Sequence, residues 1–270
     1  MRLNELVVLV KGGGEVASGV AHRLFRAHFK VCLTEVPCPQ AVSRGVAFSE
    51  AVYDGEKEVE GVVAKLVKSA GEIGKVWEEG KLPLIVDPEA AVRSSLHPNI
   101  LVDAIMAKRN LGTSLADAPL VIGLGPGFQA GRDVHLVVET NNSESLGKVI
   151  FTGEAEKNTA IPISIGGLTV ERVLHAPESG LFLADREIGD TVVAGEVIAS
   201  VGGQAVKAPI GGVVRALLRS GVQVTKETKL GEIDPIGNKE TCYSIRARVR
   251  AIAGEFLRRY FTGSVLSYDA

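Results

Sequence analysis

Between residues 176 and 230 the chain repeats itself at an offset of 32 residues. Ala176-Pro177 recurs as Ala208-Pro209, Gly180 as Gly212, Gly189 as Gly221, Val192 as Val224, and Ile198 as Leu230. A fixed period of this length marks a supersecondary unit that cannot bury its apolar face alone and so must pack against its copy. Two glycine-punctuated β-hairpin units closing into a small flattened barrel satisfy that requirement. The repeat therefore claims the last hundred residues for β structure. With 270 residues in all, at least one further unit must precede it.

That unit opens with the apolar run Leu6 to Val10, then Gly12-Gly13-Gly14, then Val16, Val20, Leu24 and Phe25 at helical spacing. A second run, Val31-Cys32-Leu33, ends at Glu35 before Pro37, completing a strand-turn-helix-strand unit. Gly12, Gly14 and Ala17 fit G-x-G-x-x-A. The first glycine permits a tight turn, the second lets backbone approach a pyrophosphate, and the small third residue lets helix pack on strand. Glu35 stands 21 residues beyond Gly14, where an acid would grip a ribose hydroxyl, and the helix N-terminus would supply amides for phosphate. Two later strands also end in acids, Leu84-Ile85-Val86 at Asp87 and Ile100-Leu101-Val102 at Asp103. In an open parallel sheet that edge holds the ligand, so Glu35, Asp87 and Asp103 are expected to line one crevice beside the glycine turn. Asp87 precedes Pro88 and fits a cap rather better. The stretch from Val52 to Val67 reads as an inserted hairpin.

The middle of the chain, "APLVIGLGPGFQAGRDVHLVVET", has a second glycine turn, Gly125-Pro126-Gly127, between two strands. Period two places Asp133, His135 and Glu139 on one strand face. Asp133 and His135 are weak metal candidates, because a plain polar face explains them more simply. Near the C-terminus Val249, Ile252, Ala253, Phe256, Leu257, Tyr260 and Phe261 form a helical stripe flanked by five arginines. These arginines suit a solvated face better than a partner surface.

Composition excludes several classes. Thirty basic and thirty-two acidic residues are interspersed, giving a net charge of -2, so neither nucleic acid nor an anionic membrane is favoured. Every apolar run falls short of the roughly 18 residues a bilayer span needs. Three cysteines, Cys32, Cys38 and Cys242, make neither a zinc motif nor a disulfide framework, and a cytoplasmic setting is expected.

The repeat resembles the barrel-sandwich hybrid of biotinyl and lipoyl domains. Carriers of that family present a lysine at a hairpin tip, whereas "IASVGGQAVKA" turns through Gly202-Gly203 with Lys207 inside the returning strand. No covalent biotin or lipoate is expected. Three longer motifs, "GGGEVASGVAHRLFRAHFKV", "NILVDAIMAKRNLGT" and "VIGLGPGFQAGRDVHLVVET", resemble the accessory proteins of the selenium-dependent molybdenum hydroxylase system, distant relatives of the xanthine dehydrogenase accessory factors. The likeness runs from Val10 to about Ile252.

The resemblance implies a role in maturing a molybdenum-cofactor hydroxylase. Its implied partners are the client hydroxylase or its cofactor-synthesis enzymes, and a homo-oligomer is possible. It adds Arg44, Lys108, Gly125 and Gly127 to a ligand surface that already includes Gly12, Gly13, Gly14, Glu35 and Asp103. The sequence departs from the family pattern at Asn142-Ser143-Glu144, where Arg-Gly-His is expected, and at Ala160, where glycine is expected.

The expected architecture has three parts: a Rossmann-like nucleotide-binding domain over 1–112, a β-rich connecting segment over 113–168, and an unmodified barrel-sandwich hybrid with a terminal helix over 169–270. The expected ligand is a nucleotide, an NAD-like dinucleotide or a molybdenum cofactor nucleotide. The alternatives are an NAD(P)-dependent oxidoreductase, which lacks a clear general acid or base beyond His97, and a non-catalytic adaptor.

Overall fold

The computed structural model describes residues 2–261, with side chains described as far as residue 254. Two compact units emerge: residues 1–39, 48–159 and 245–270 form one, and 40–47 with 160–244 form the other.

In the first unit, β1 (Val7–Lys11), α1 (Glu15–Arg26) and β2 (Lys30–Glu35) follow the expected order. After them come α2 (Ala51–Asp54), β3 (Glu56–Val59), β4 (Val62–Val67), α3 (Ile73–Glu78), β5 (Leu82–Val86), α4 (Arg93–Leu96) and β6 (Ile100–Asp103). The unit continues with β7 (Leu120–Leu124), β8 (Gln129–Ala130), β9 (Leu136–Val138), β10 (Val149–Ile150), β11 (Gly153–Glu154) and, near the C-terminus, α5 (Ala247–Phe261). Nine strands join one sheet in the order β10-β9-β7-β6-β1-β2-β5-β4-β3, while β8 and β11 pair separately. From β9 to β4 neighbours run parallel; β10 and β3 close the two edges antiparallel. The parallel strands are near-continuous apolar runs because both of their faces are covered. Val8, Leu9, Val10, Val31, Leu33, Leu101 and Val121 are buried outright. The hairpin expected from Val52 onward is β3–β4, turning at Glu60 and Gly61, both with positive φ.

The Rossmann-like domain with a separate connecting segment is corrected by this topology. The expected boundary after residue 112 falls inside a single mixed sheet, since β7, β9 and β10 extend it directly from β6. α1, of 12 residues, is the only crossover helix of substantial length in the sheet, for α2, α3 and α4 run only 4 to 6 residues. The apolar runs of the middle segment announced strands but carried no mark of which sheet they would join.

The second unit contains β12 (Val173–His175), β13 (Gly180–Ala184), β14 (Thr191–Val192), β15 (Val197–Val201), β16 (Gln204–Lys207), β17 (Gly212–Leu217), β18 (Val222–Val224) and β19 (Lys229–Asp234). These form two antiparallel sheets, β12-β19-β17-β14 and β16-β15-β13-β18. Shifting each strand by one repeat turns the first order into the second, so every sheet takes two strands from each copy. A shared core of Leu174, Phe182, Val192, Ile198, Val214, Leu230 and Ile233 lies among them. The single barrel-sandwich hybrid is therefore corrected as well: two distinct four-stranded sheets stand in its place, and the terminal helix α5 belongs to the first unit. No helix among the described residues is long and apolar enough to cross a membrane.

Candidate functional site

The order of the large sheet reverses at β1, whose neighbours β2 and β6 depart in opposite directions along the chain. Ligands of open parallel sheets settle beside such a point, outside the carboxyl ends of the strands. Here those ends carry the glycine turn, Glu35, Val86, Asp103 and the loop after β6.

The three glycines divide their work. Gly12 has φ +96°, and a Cβ there would stand 3.2 Å from the Ala104 carbonyl oxygen. Gly13 lies beneath the residues Phe48 to Glu50: the Ser49 N–H donates to its carbonyl (2.8 Å), and a Cβ would reach 2.9 Å from the Ser49 nitrogen. Ser18 fastens the same contact, accepting from the Phe48 N–H (2.7 Å) and donating to the Gly13 carbonyl (2.9 Å). Gly14, the N-cap of α1, has nothing within 4 Å of a Cβ position. The turn is thus open at Gly14 alone.

Glu35 folds back onto that turn. One carboxylate oxygen accepts from the Gly13 N–H (2.7 Å) and the other from the Val36 N–H (2.8 Å). Burial raises its pKa above the ordinary carboxylate value, and the two backbone hydrogen bonds oppose that rise. Two of its lone-pair directions are committed and two remain. Asp103 is only 2 % exposed. Thr113 donates its hydroxyl to one Asp103 oxygen (2.6 Å) and accepts from the Lys11 ammonium (2.7 Å), which lies 3.6 Å from the same carboxylate. The other oxygen accepts from the Ile105 N–H (3.2 Å). This buried triad ties the ends of β1 and β6 together and leaves Asp103 no surface to offer. Asp87 accepts from the Val92 N–H (2.7 Å); Val92, not Asp87, is the N-cap of α4.

At the same edge of the sheet, exposed apolar side chains stand at the ends of β2, β5 and β6: Val36 (41 %), Val86 (38 %) and Ile105 (37 %). Register places Glu35 beside Val86, and Lys11 beside Asp103. The sequence reading passed over these three because an isolated exposed aliphatic residue carries no signal; only the strand order brings them to one edge.

The remaining candidates scatter. Arg44 belongs to the second unit, where its Nε donates to the Leu217 carbonyl (2.7 Å) and its guanidinium pairs with Glu187 (3.2 Å). Gly125 packs on the Thr140 side chain, and Gly127 (φ +109°) on the backbone of Lys108 and Arg109. Lys108 is exposed, with φ +61°. Asp133 accepts from the Gln129 N–H and pairs with Arg132. The His135 Nδ1 accepts from the Val121 N–H (3.0 Å), and burial lowers its pKa, so the ring is held neutral. Glu139 is clamped by the N–H groups of Thr140, Asn141 and Glu156. No group of three or more His, Cys, Asp or Glu suited to a metal exists among the described residues. Ala160, at the expected glycine, adopts φ +57°, the conformation glycine takes most readily.

No protein-family model matches this chain. It is 46 % identical over 251 residues to the uncharacterized protein YqeB of Escherichia coli K12. That alignment covers 93 % of this chain and 46 % of the relative, so the chain spans about half the relative's length. Among solved structures, TcdA (CsdL) shares 16 % identity over 46 % of this chain and 50 % of its own, at a TM-score of 0.29. An aspartoacylase family protein from Mesorhizobium loti shares 13 % identity over 86 % of each chain, at 0.28. Scores so low establish no common fold.

Proposed function

We propose that this chain binds a nucleotide, or a cofactor containing one, at the carboxyl edge of its nine-stranded sheet, and serves as an accessory protein in maturing a molybdenum-cofactor hydroxylase. The observation that carries the binding reading is the open N-terminal end of α1 at Gly14, at the reversal of strand order, with Val36, Val86 and Ile105 exposed at the same edge of the sheet. The N–H groups at a helix N-terminus suit phosphate oxygens, and apolar side chains suit the face of a base. Glu35 retains two lone-pair directions for a ribose hydroxyl. The residues therefore fit such a ligand through Gly14 rather than through Gly13, which Ser49 and Glu35 already occupy. The maturation role is supported by the three sequence motifs.

Thermal unfolding in the presence of NAD, CTP and molybdopterin analogues tests the binding. A ligand at 100 times its Kd stabilises the folded state by about 2.7 kcal/mol, a rise of roughly 5 to 10 °C for a protein of this size. At least one of these compounds should produce such a rise. Gly14→Val should remove it and leave a cooperative unfolding transition. An unmoved midpoint with every compound at millimolar concentration overturns the reading.

A further inference from the structure

We infer that the segment from Ile105 to Arg109 is a phosphate-binding loop that completes the site opened by the N-terminus of α1, and that Gly12 and Gly127 serve to hold it in place. The inference rests on the nucleotide reading for its place at the sheet edge and names the group that would take the ligand's phosphate.

Two non-glycine residues two positions apart, Met106 (φ +63°) and Lys108 (φ +61°), adopt left-handed backbone. Such conformations persist only where the surroundings impose them, and they gather at ligand clamps. Here the surroundings are the glycine turns. A Cβ on Gly12 would stand 3.3 Å from the Ile105 Cα, and one on Gly127 would stand 2.5 Å from the Arg109 nitrogen and 2.6 Å from its Cα. The loop is gripped at both ends by positions where any side chain would collide with it.

Held in this way, the loop presents unused donors. The Ile105 N–H goes to Asp103, and the N–H groups of Gly112 and Thr113 go to the Asn110 side chain. Between these anchors the N–H groups of Met106, Ala107, Lys108 and Arg109 donate to no acceptor among the described residues. The Lys108 and Arg109 side chains are exposed, and neither pairs with a described carboxylate. Asp103, at the start of the loop, is closed off by Thr113 and Lys11. Four consecutive amide donors accompanied by an ammonium and a guanidinium are suited to an anion bearing several oxygens. A phosphate or pyrophosphate group meets that description.

The test titrates the full chain with inorganic pyrophosphate and with ADP by isothermal titration calorimetry, alongside the double variant Lys108→Asn, Arg109→Gln. Asparagine tolerates the left-handed backbone, so the loop should keep its course. Circular dichroism checks the fold, and Arg109→Gln alone carries the test if the double variant does not fold. Wild type should bind pyrophosphate, more weakly as salt rises, and the variant at least tenfold more weakly. Pyrophosphate binding without ADP binding upholds the loop and removes the nucleotide reading. ADP binding equal in wild type and variant overturns the loop and leaves the nucleotide reading standing. A wild type that binds neither compound overturns both.

Discussion

Glu35 illustrates how far single residues can be read from a sequence. Its place at a strand end 21 residues after Gly14 was legible, since apolar runs and spacing locate backbone. Its direction was not, because the side chain turns back to the Gly13 and Val36 N–H groups instead of projecting outward. Asp103 was legible in the same sense and hidden in the same way: burial inside the Lys11–Thr113 triad depends on a loop ten residues further on. Glu35 also makes a pH-dependent contribution to stability. Its folded pKa is raised by burial, so the folded state holds the proton where the unfolded state has lost it. Stability from this group is fully present below the ordinary carboxylate pKa and is lost as pH climbs through its raised pKa. Glu35→Gln removes the titration. The melting temperature of wild type minus that of the variant should therefore shrink as pH increases from about 4.5 toward neutrality. A difference that stays constant across that range would contradict the assignment.

Among the elements, α5 departs most from what its sequence suggested. The apolar stripe was correct as far as it can be followed: Val249, Ile252 and Ala253 are buried, whereas the Phe256, Leu257, Tyr260 and Phe261 side chains lie outside the described residues. Its arginines were expected to face solvent. Arg246 instead pairs with Glu15 (2.9 Å) in the first turn of α1 and Arg248 donates to the Thr140 carbonyl (2.9 Å); Arg250 is exposed as expected and also pairs with Glu60 (2.5 Å), and the Arg258 and Arg259 side chains lie outside the described residues. Charged side chains near an apolar stripe look the same in sequence whether their partners are water or distant carboxylates. The close approach of the helices depends on Gly19, where any Cβ would overlap the Val249 side chain. Gly19→Leu should cost about 2 to 3 kcal/mol by overpacking and loosen α5. Trypsin should then cut at Arg246, Arg248 or Arg250 well before it cuts wild type. A variant as stable and as protease-resistant as wild type would show that α5 does not depend on this contact.

At the scale of the whole molecule, the sequence revealed the longer β runs and the 32-residue repeat, and left the partition of strands into sheets hidden. Which strand β7 would join is decided by pairing along residues 120–124 with β6, and nothing local to that run states it. The repeat likewise announced two equivalent units without disclosing that each would contribute two strands to either sheet. The central claim is a nucleotide site on the first unit, at the point where the order of its sheet reverses. Amide chemical shifts of the isotopically labelled chain, followed during titration with ADP, test it most directly. The largest changes should fall at Gly14, Val36 and Ile105 through Arg109, with the amides of 160–244 unmoved. Changes confined to 160–244, or none at saturating ADP, would contradict it.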